Sequence, residues 1–350
     1  MKMTYDLPNL PVDLEEEILS KVPATSLNRL RATCKRWNTL FNKPGSSEKH
    51  FRKSPKQPRV LMLKACRISP ISVDLNVVPP SVEFEDALSL KDSHSNSEKV
   101  DIAQVFHCDG LLLCITKNEN KPVIWNPCLE ESRWIKHKNG YNRNCEFALG
   151  YANNQSCHSY KILMFWECRQ RNKQVGEFEI YEVNSNSWRV VIAPICLRLG
   201  IRYSGVNLKG NTYWISIDES FTRLHLPTSC YHYMALSVVR EEQLSVLSKG
   251  FDSPVVEMWV TKNIDPEAEL SWRKSFAVDV CINTSFYVLT SLIIHEDKKV
   301  ALCYYTVFFI GEDDEYYTET SCYRESTNKV GFVWPFMFNY VPSLVHISNK

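Results

Sequence analysis

The chain is poor in glycine, with 11 in 350 residues, and those few are dispersed. A phosphate-cradling loop needs clustered glycines so that backbone N–H groups can approach the anion, and no such cluster is present. The Gly-x-Ser-x-Gly elbow of serine hydrolases is missing as well. Long apolar runs are also lacking: the longest, Val300 to Ile310, falls short of the ~20 residues needed to span a bilayer. No apolar signal-peptide core follows Met1-Lys2-Met3-Thr4-Tyr5-Asp6. Net charge is nearly absent, at +1. Cysteine is plentiful, with 13 residues, but the number is odd, the positions are scattered from Cys34 to Cys322, and Cys-x-x-Cys never occurs. Neither a disulfide scaffold nor a zinc site fits that placement. The expectation is a reduced intracellular protein of cytoplasm or nucleus, without metal or cofactor.

What is present begins near the N-terminus. Leu10-Pro11-Val12-Asp13-Leu14 runs on to Ile18-Leu19, followed by Leu27-Asn28-Arg29-Leu30 and Cys34-Lys35-Arg36-Trp37. Leu14, Ile18 and Val22 form an i, i+4, i+8 stripe that Leu19 widens. Pro11 suits a helix start, and Asp13, Glu15, Glu16 and Glu17 complement the dipole of its first turn. Pro23 ends that helix; Thr25 or Ser26 can cap a second and Thr33 a third. Apolar residues at 27, 30, 34, 37 and 41 continue the helical spacing. So short a segment cannot bury that many large side chains against itself. It is read as a docking module, the alternative being a helical hairpin packed on its own protein's core.

Charge follows the same division. Residues 1–60 carry +6 and the remainder −5, most of the excess lying in Lys43, Lys49, Arg52, Lys53, Lys56 and Arg59. The run reads as a solvated linker, or a face answering an acidic partner, rather than a nucleic-acid site. Pro44-Gly45-Ser46-Ser47 and Ser54-Pro55-Lys56-Gln57-Pro58 break the helical pattern. Beyond them come short β-branched and aromatic runs: 60–63, 111–115, 123–125, 178–183, 213–215, 255–260 and 300–305. Residues 81–101 are polar and acidic and read as a surface loop. A weak repeat places a strand-end aromatic before a polar turn and a second aromatic beside arginine. Its copies are Trp125-Asn126-Pro127 to Arg133-Trp134, Tyr181 to Trp188-Arg189, Trp259 to Trp272-Arg273, and a degenerate Tyr323 to Val330. A unit of about 40–50 residues is the size of a four-stranded propeller blade, which suggests about six blades; a non-repeating β-sandwich is the alternative.

Two resemblances join these strings. Leu10-Pro11-x-Asp13-Leu14-x-x-x-Ile18-Leu19, Pro23-x-x-Ser26-Leu27-x-x-Leu30 and Cys34-Lys35-x-Trp37 resemble the F-box. Cys108-Asp109-Gly110-Leu111-Leu112-Leu113-Cys114, Val123 to Pro127, Gly205 to Trp214 and Val256 to Val260 with Ser271-Trp272 resemble the F-box-associated domain of a large plant family. The resemblance implies a small all-α, three-helix F-box at 1–45, a linker at 46–57, and a large all-β, propeller-like domain of roughly six degenerate blades at 58–350. Residues 218–235 and the last forty match loosely.

The resemblance further implies a role without chemistry of its own. The F-box would dock a Skp-family adaptor, and through it a cullin scaffold, using Leu10, Pro11, Leu14, Ile18, Leu19, Leu27, Leu30 and Trp37. Some of these must hold the helices together. The β domain would hold a client protein for ubiquitination. A ligand- or glycan-reading module outside any ligase is the rival, with Trp166 or Trp214 stacking on a ring; blade-core packing is the plainer reading of both. His107-Cys108-Asp109 suggests a nucleophile with base and orienter, but adjacent strand residues face opposite ways, and Asp109-Gly110 reads as a turn. Glu312-Asp313-Asp314-Glu315 lacks the spacing of a calcium loop and reads as solvated. Asn154-Gln155-Ser156 and Asn283-Thr284-Ser285 match a glycosylation pattern short enough to arise by chance.

Overall fold

The computed structural model describes residues 10–41, 46–74, 81–91, 100–141, 145–153, 158–170, 173–191, 205–213, 233–250, 253, 255–262, 271–279, 306–310, 316–321 and 336–347. Several sequence features lie outside them: the 300–305 strand, the acidic cluster 312–315, Tyr323 to Val330, Trp214, and Asn154 and Asn283. Among the described residues, no helix is long and apolar enough to cross a membrane.

Four helices open the chain: α1 (Val12–Ser20), α2 (Ala24–Thr33), α3 (Lys35–Phe41) and α4 (Ser46–Lys53). Proline stands at the N-cap of both α1 and α2, and no side-chain oxygen caps either start. Pro11 stands at the helix start as expected, and Pro23 replaces the Thr25 or Ser26 cap expected for the second helix; a φ near −51° and −56° sets the chain for helix entry. Thr33 instead hydrogen-bonds back to the Leu30 carbonyl at 2.8 Å, and the extended Cys34 separates α2 from α3. The 27-to-41 stripe is thus folded over two helices rather than laid along one.

The segment expected as a linker at 46–57 contains α4. Its His50 is buried, and Nε2 lies 2.6 Å from the Val22 carbonyl while the ring meets Phe41 edge-on. Burial pushes the His50 imidazole below its ordinary range, so the neutral ring donates from Nε2. One anchored histidine turns a polar stretch into part of the helical module.

From Arg59 onward the described chain is β. The first sheet holds β1 (Arg59–Lys64), β2 (Arg67–Asp74) and β3 (Ser81–Phe84); the second β4 (Ile102–Cys108), β5 (Leu111–Thr116), β6 (Pro122–Asn126) and β7 (Glu131–Trp134); the third β8 (Glu146–Asn153), β9 (His158–Gln170), β10 (Lys173–Glu182) and β11 (Ser187–Val191). A two-stranded sheet follows, β12 (Val206–Leu208) and β13 (Asn211–Tyr213), then β14 (Tyr233–Val239), β15 (Gln243–Lys249), β16 (Val255–Thr261) and β17 (Trp272–Asp279). After a second pair, β18 (Thr306–Ile310) and β19 (Tyr316–Ser321), the last strand β20 (Phe336–Tyr340) returns to β1, with Leu61 opposite Phe338. All pairings are antiparallel, and chain end closes on domain start. The architecture is a propeller. Its described residues form four four-stranded blades and two two-stranded sheets, where the sequence suggests about six blades.

The sequence repeat is one structural unit, the hairpin of a blade's third and fourth strands: β6–β7, β10–β11 and β16–β17. The double spacing between Trp188 and Trp272 accommodates the intervening β12–β13 pair. Burial follows position in the blade. Every residue of β5 and β6 is buried, as their unbroken apolar runs require, whereas the outer β7 is half-buried with Ser132 exposed and β11 is largely exposed. Ser81–Phe84, expected in a loop, is likewise an outer strand, whose exposed Glu83 keeps the sheet edge polar.

Tight turns set the registers. Asp109 (φ 49°) and Gly110 (φ 77°) join Cys108 to its partner Leu111, the two-residue geometry that Asp-Gly favours. Lys209 and Gly210 do the same between Leu208 and Asn211. That hairpin docks on the third blade through Asn207 Nδ2 and Thr212 Oγ1, which donate to the Leu149 carbonyl at 3.0 and 2.9 Å.

Candidate functional site

Helix α1 divides its apolar residues between two environments. Leu19 is 4% exposed and packs with Ala24, Leu27 (0%), Leu40 and Phe41. Leu10, Leu14 and Ile18 are 40%, 52% and 53% exposed, and Pro11 is exposed beside them. Leu14 and Ile18 are one turn apart, so their side chains stack on one face. Leu30 and Trp37 are half-buried and pack on the internal core. Of the eight residues the sequence marks for adaptor docking, Leu10, Pro11, Leu14 and Ile18 are exposed. Leu19 and Leu27 are buried in the helical core. Val12, 43% exposed, adds apolar surface that the sequence pattern passed over; its β-branched side chain directly after Pro11 was the available signal.

Charge holds this face in place. The Arg36 guanidinium, from α3, lies 2.8 Å from Glu15 and donates to the Leu10 carbonyl at 2.9 Å. It ties the start of α1 to α3. Lys53, from α4, lies 2.9 Å from Glu17, and Lys21 lies 3.4 Å from the same carboxylate. The Lys53 hydrogen bond, joined by Lys21, draws the Glu17 carboxyl below its ordinary range. Lys56 lies 3.5 Å from Glu241. Part of the N-terminal basic run therefore answers carboxylates of the same chain.

The helical module sits on the propeller. Leu344 is fully buried within the helical core, and Cys128 and Leu129 pack against that core from the turn after β6. Asn28 donates to the Cys128 carbonyl at 2.7 Å. One part of the helical apolar surface is thus satisfied internally, while the α1 face stays open.

A second concave feature lies where edge strands of four sheets meet. Residues of β4, β12, β14 and β20 line a cavity of ≈80 Å³ that includes Phe106, His107, Asn207, Ser237, Phe338 and Asn339. That volume accommodates a few water molecules. Gly110 N donates to His107 Nε2 at 3.1 Å, which leaves the proton of the neutral ring on Nδ1. Burial pushes His107 down to about 4, and its ring faces Tyr340 at 5.4 Å and Phe338 at 6.0 Å. No Cys–His–Asp relay forms around it. Cys108 is buried, and burial raises its thiol well above the ordinary range. Asp109 turns away to meet His158 Nδ1 at 2.9 Å and the Tyr160 hydroxyl at 3.2 Å. Trp166 packs partly buried against the propeller core.

Comparison with known proteins agrees with this division. Residues 7–49 match the model of the F-box domain, and residues 59–347 match that of the F-box associated beta propeller domain. The chain is 45% identical to an Arabidopsis thaliana protein described as an F-box only protein, covering 98% of this chain and 96% of that one. It is 47% identical to an F-box/kelch-repeat protein of the same plant, covering 98% of each. An F-box protein, again from Arabidopsis thaliana, is 51% identical over 85% of this chain and 92% of its own length.

Proposed function

This chain belongs to the F-box proteins that carry an F-box associated beta propeller domain, and on that premise we propose that it is the substrate-recognition subunit of a Skp–cullin–F-box ubiquitin ligase. The face formed by Leu10, Pro11, Leu14 and Ile18 docks a Skp-family adaptor, which joins the chain to a cullin scaffold. The propeller holds a client protein through its loops. Ubiquitin transfer is then favoured by proximity, since holding client and conjugating enzyme together makes their encounter almost intramolecular. The chain supplies orientation, and the covalent chemistry belongs to the conjugating enzyme.

One observation carries this reading. Large apolar side chains of α1 remain in water although the helical module has a closed core and a seat on the propeller. Exposed apolar patches of this kind mark interaction surfaces. Adaptor docking would bury on the order of 1,600 Å² in total. The reading places the protein in cytoplasm or nucleus; the free thiols of Cys34, Cys66, Cys108 and Cys114 suit a reducing compartment.

The test replaces Leu10 and Pro11 together with polar residues in the full chain. Adaptor co-purification is expected to vanish while the β circular-dichroism signal persists; undiminished adaptor binding refutes the assignment. The rival, a ligand- or glycan-reading domain outside a ligase, loses support from the packing of Trp166 against the propeller core. A glycan and small-ligand thermal-shift panel on the full chain measures that alternative directly.

A further inference from the structure

The last described residues form a two-sided element. After β20 the chain runs from Val341 to Ile347 without regular secondary structure, and its side chains part company. Val345 and Ile347 enter the propeller core with Phe106, Leu113 and Phe147. Leu344 points the other way, into the core of Leu19, Ala24, Leu27, Leu40 and Phe41. Successive residues of an extended chain face opposite sides, so one short run can serve two cores.

Polar groups from the second blade hold the run in place. Asn126, fully buried, donates from Nδ2 to the carbonyls of Ser343 (3.1 Å) and Val345 (2.8 Å). Its Oδ1 accepts from the N–H groups of Cys128 (2.9 Å) and Leu129 (3.3 Å), the residues that pack on the helical module. One side chain thereby organises both halves of the seat. Glu131 Oε1 meets His346 Nδ1 at 2.7 Å and Oε2 accepts from Ile347 N at 3.1 Å; Arg133 donates to the Ile347 carbonyl. Gly110 permits the close passage, since a Cβ there would stand 2.4 Å from Ser343 Oγ.

We propose that residues 341–347 are a pin, with Leu344 as its head, that fixes the orientation of the F-box on the propeller. Leu344 and Asn126 are positioning residues: they touch neither adaptor nor client, but they set where the adaptor-binding face stands relative to the propeller loops. The pin itself rests on packing alone; its consequence for ubiquitin transfer rests on the function proposed above. A chain lacking its last residues would keep an F-box sequence and lose the F-box's support.

The experiment compares full-length wild type, Leu344→Ala, Leu344→Met and Asn28→Ala by amide hydrogen exchange and small-angle scattering. Leu344→Ala is expected to speed exchange across residues 24–41 by about tenfold or more, leave residues 111–116 unchanged and broaden the interdomain distances. Leu344→Met should stay near wild type. Asn28→Ala should give a smaller change of the same kind, and it carries the test if Leu344→Ala does not fold. Exchange in 24–41 unchanged in both alanine variants overturns the proposal. So does simultaneous loss of protection in 111–116, because it would make Leu344 a general prop of the propeller. Adaptor binding is measured separately: a wild-type chain that binds no adaptor refutes the ligase role and leaves the exchange result standing.

Discussion

Ile18 and Leu19 are sequence neighbours with opposite surroundings, and truncating each in turn separates docking from folding. Fully burying an isoleucine side chain is worth about 1.5–3 kcal/mol relative to leaving it in water. Ile18 retains 53% of its exposure, so roughly half of that value, about 0.8–1.5 kcal/mol, remains available to a partner. Ile18→Ala should therefore weaken adaptor affinity about 4–12-fold and, through the half already buried, lower unfolding stability by no more than about 1.5 kcal/mol. Leu14, at 52% exposure, has the same prospects. The double variant should lose about 15–150-fold, less if the two neighbours share one pocket. Leu19, 4% exposed, behaves otherwise: Leu19→Ala leaves a cavity among Leu27, Leu40 and Phe41 and should cost about 2–5 kcal/mol. Calorimetric titration with adaptor gives the first quantity and urea unfolding the second. Equal stability losses in both variants, or unchanged affinity in Ile18→Ala, would refute the assignment of the two faces.

Asn126→Ala removes a buried side chain that serves four backbone groups and should destabilise the chain by about 3 kcal/mol in urea, since each stranded group costs about 1–3 kcal/mol and the losses overlap. His107 is held down to about 4 by burial, below its ordinary 6.5, so the folded state resists a proton that the unfolded state accepts. Stability from this group is complete above pH 6.5 and is lost as pH falls toward 4, on the order of 3 kcal/mol; urea titrations across that window should flatten in His107→Gln. Glu146 has the opposite sign: burial raises its carboxyl to about 6 against Gln104's opposing hydrogen bond. Its contribution is intact below about pH 4.5 and is lost as pH rises through 6, so Glu146→Gln should stabilise the chain by up to about 2 kcal/mol at pH 7.5 and by nothing at pH 4.

The sequence made the type of most elements legible and their partnerships much less so. β5 and β6 were plain because strands covered on both faces are unbroken apolar runs. The aromatic repeat was visible because each copy is one hairpin, and its doubled step between Trp188 and Trp272 leaves room for the β12–β13 pair. Helix α4 was missed because Pro44-Gly45-Ser46-Ser47 signals a break, and His50 earns its place only by meeting Val22 and Phe41 in three dimensions. Within the candidate site, the pattern marked the apolar residues of α1 and could not divide the buried from the exposed ones. Ile18 and Leu19 are both apolar, and only the packing of α1 on α2 and α3 decides which is left for a partner. Leu344 carried no local signal at all, because its function depends on a fold that brings the chain's end to its beginning.

The most direct measurement of the central claim is hydrogen exchange on the full-length chain with and without a purified Skp-family adaptor. A one-to-one complex is expected, with exchange slowed across residues 10–20 and unaltered in residues 111–116. No complex, or slowing confined to the propeller with residues 10–20 as fast as in the free chain, would contradict the account.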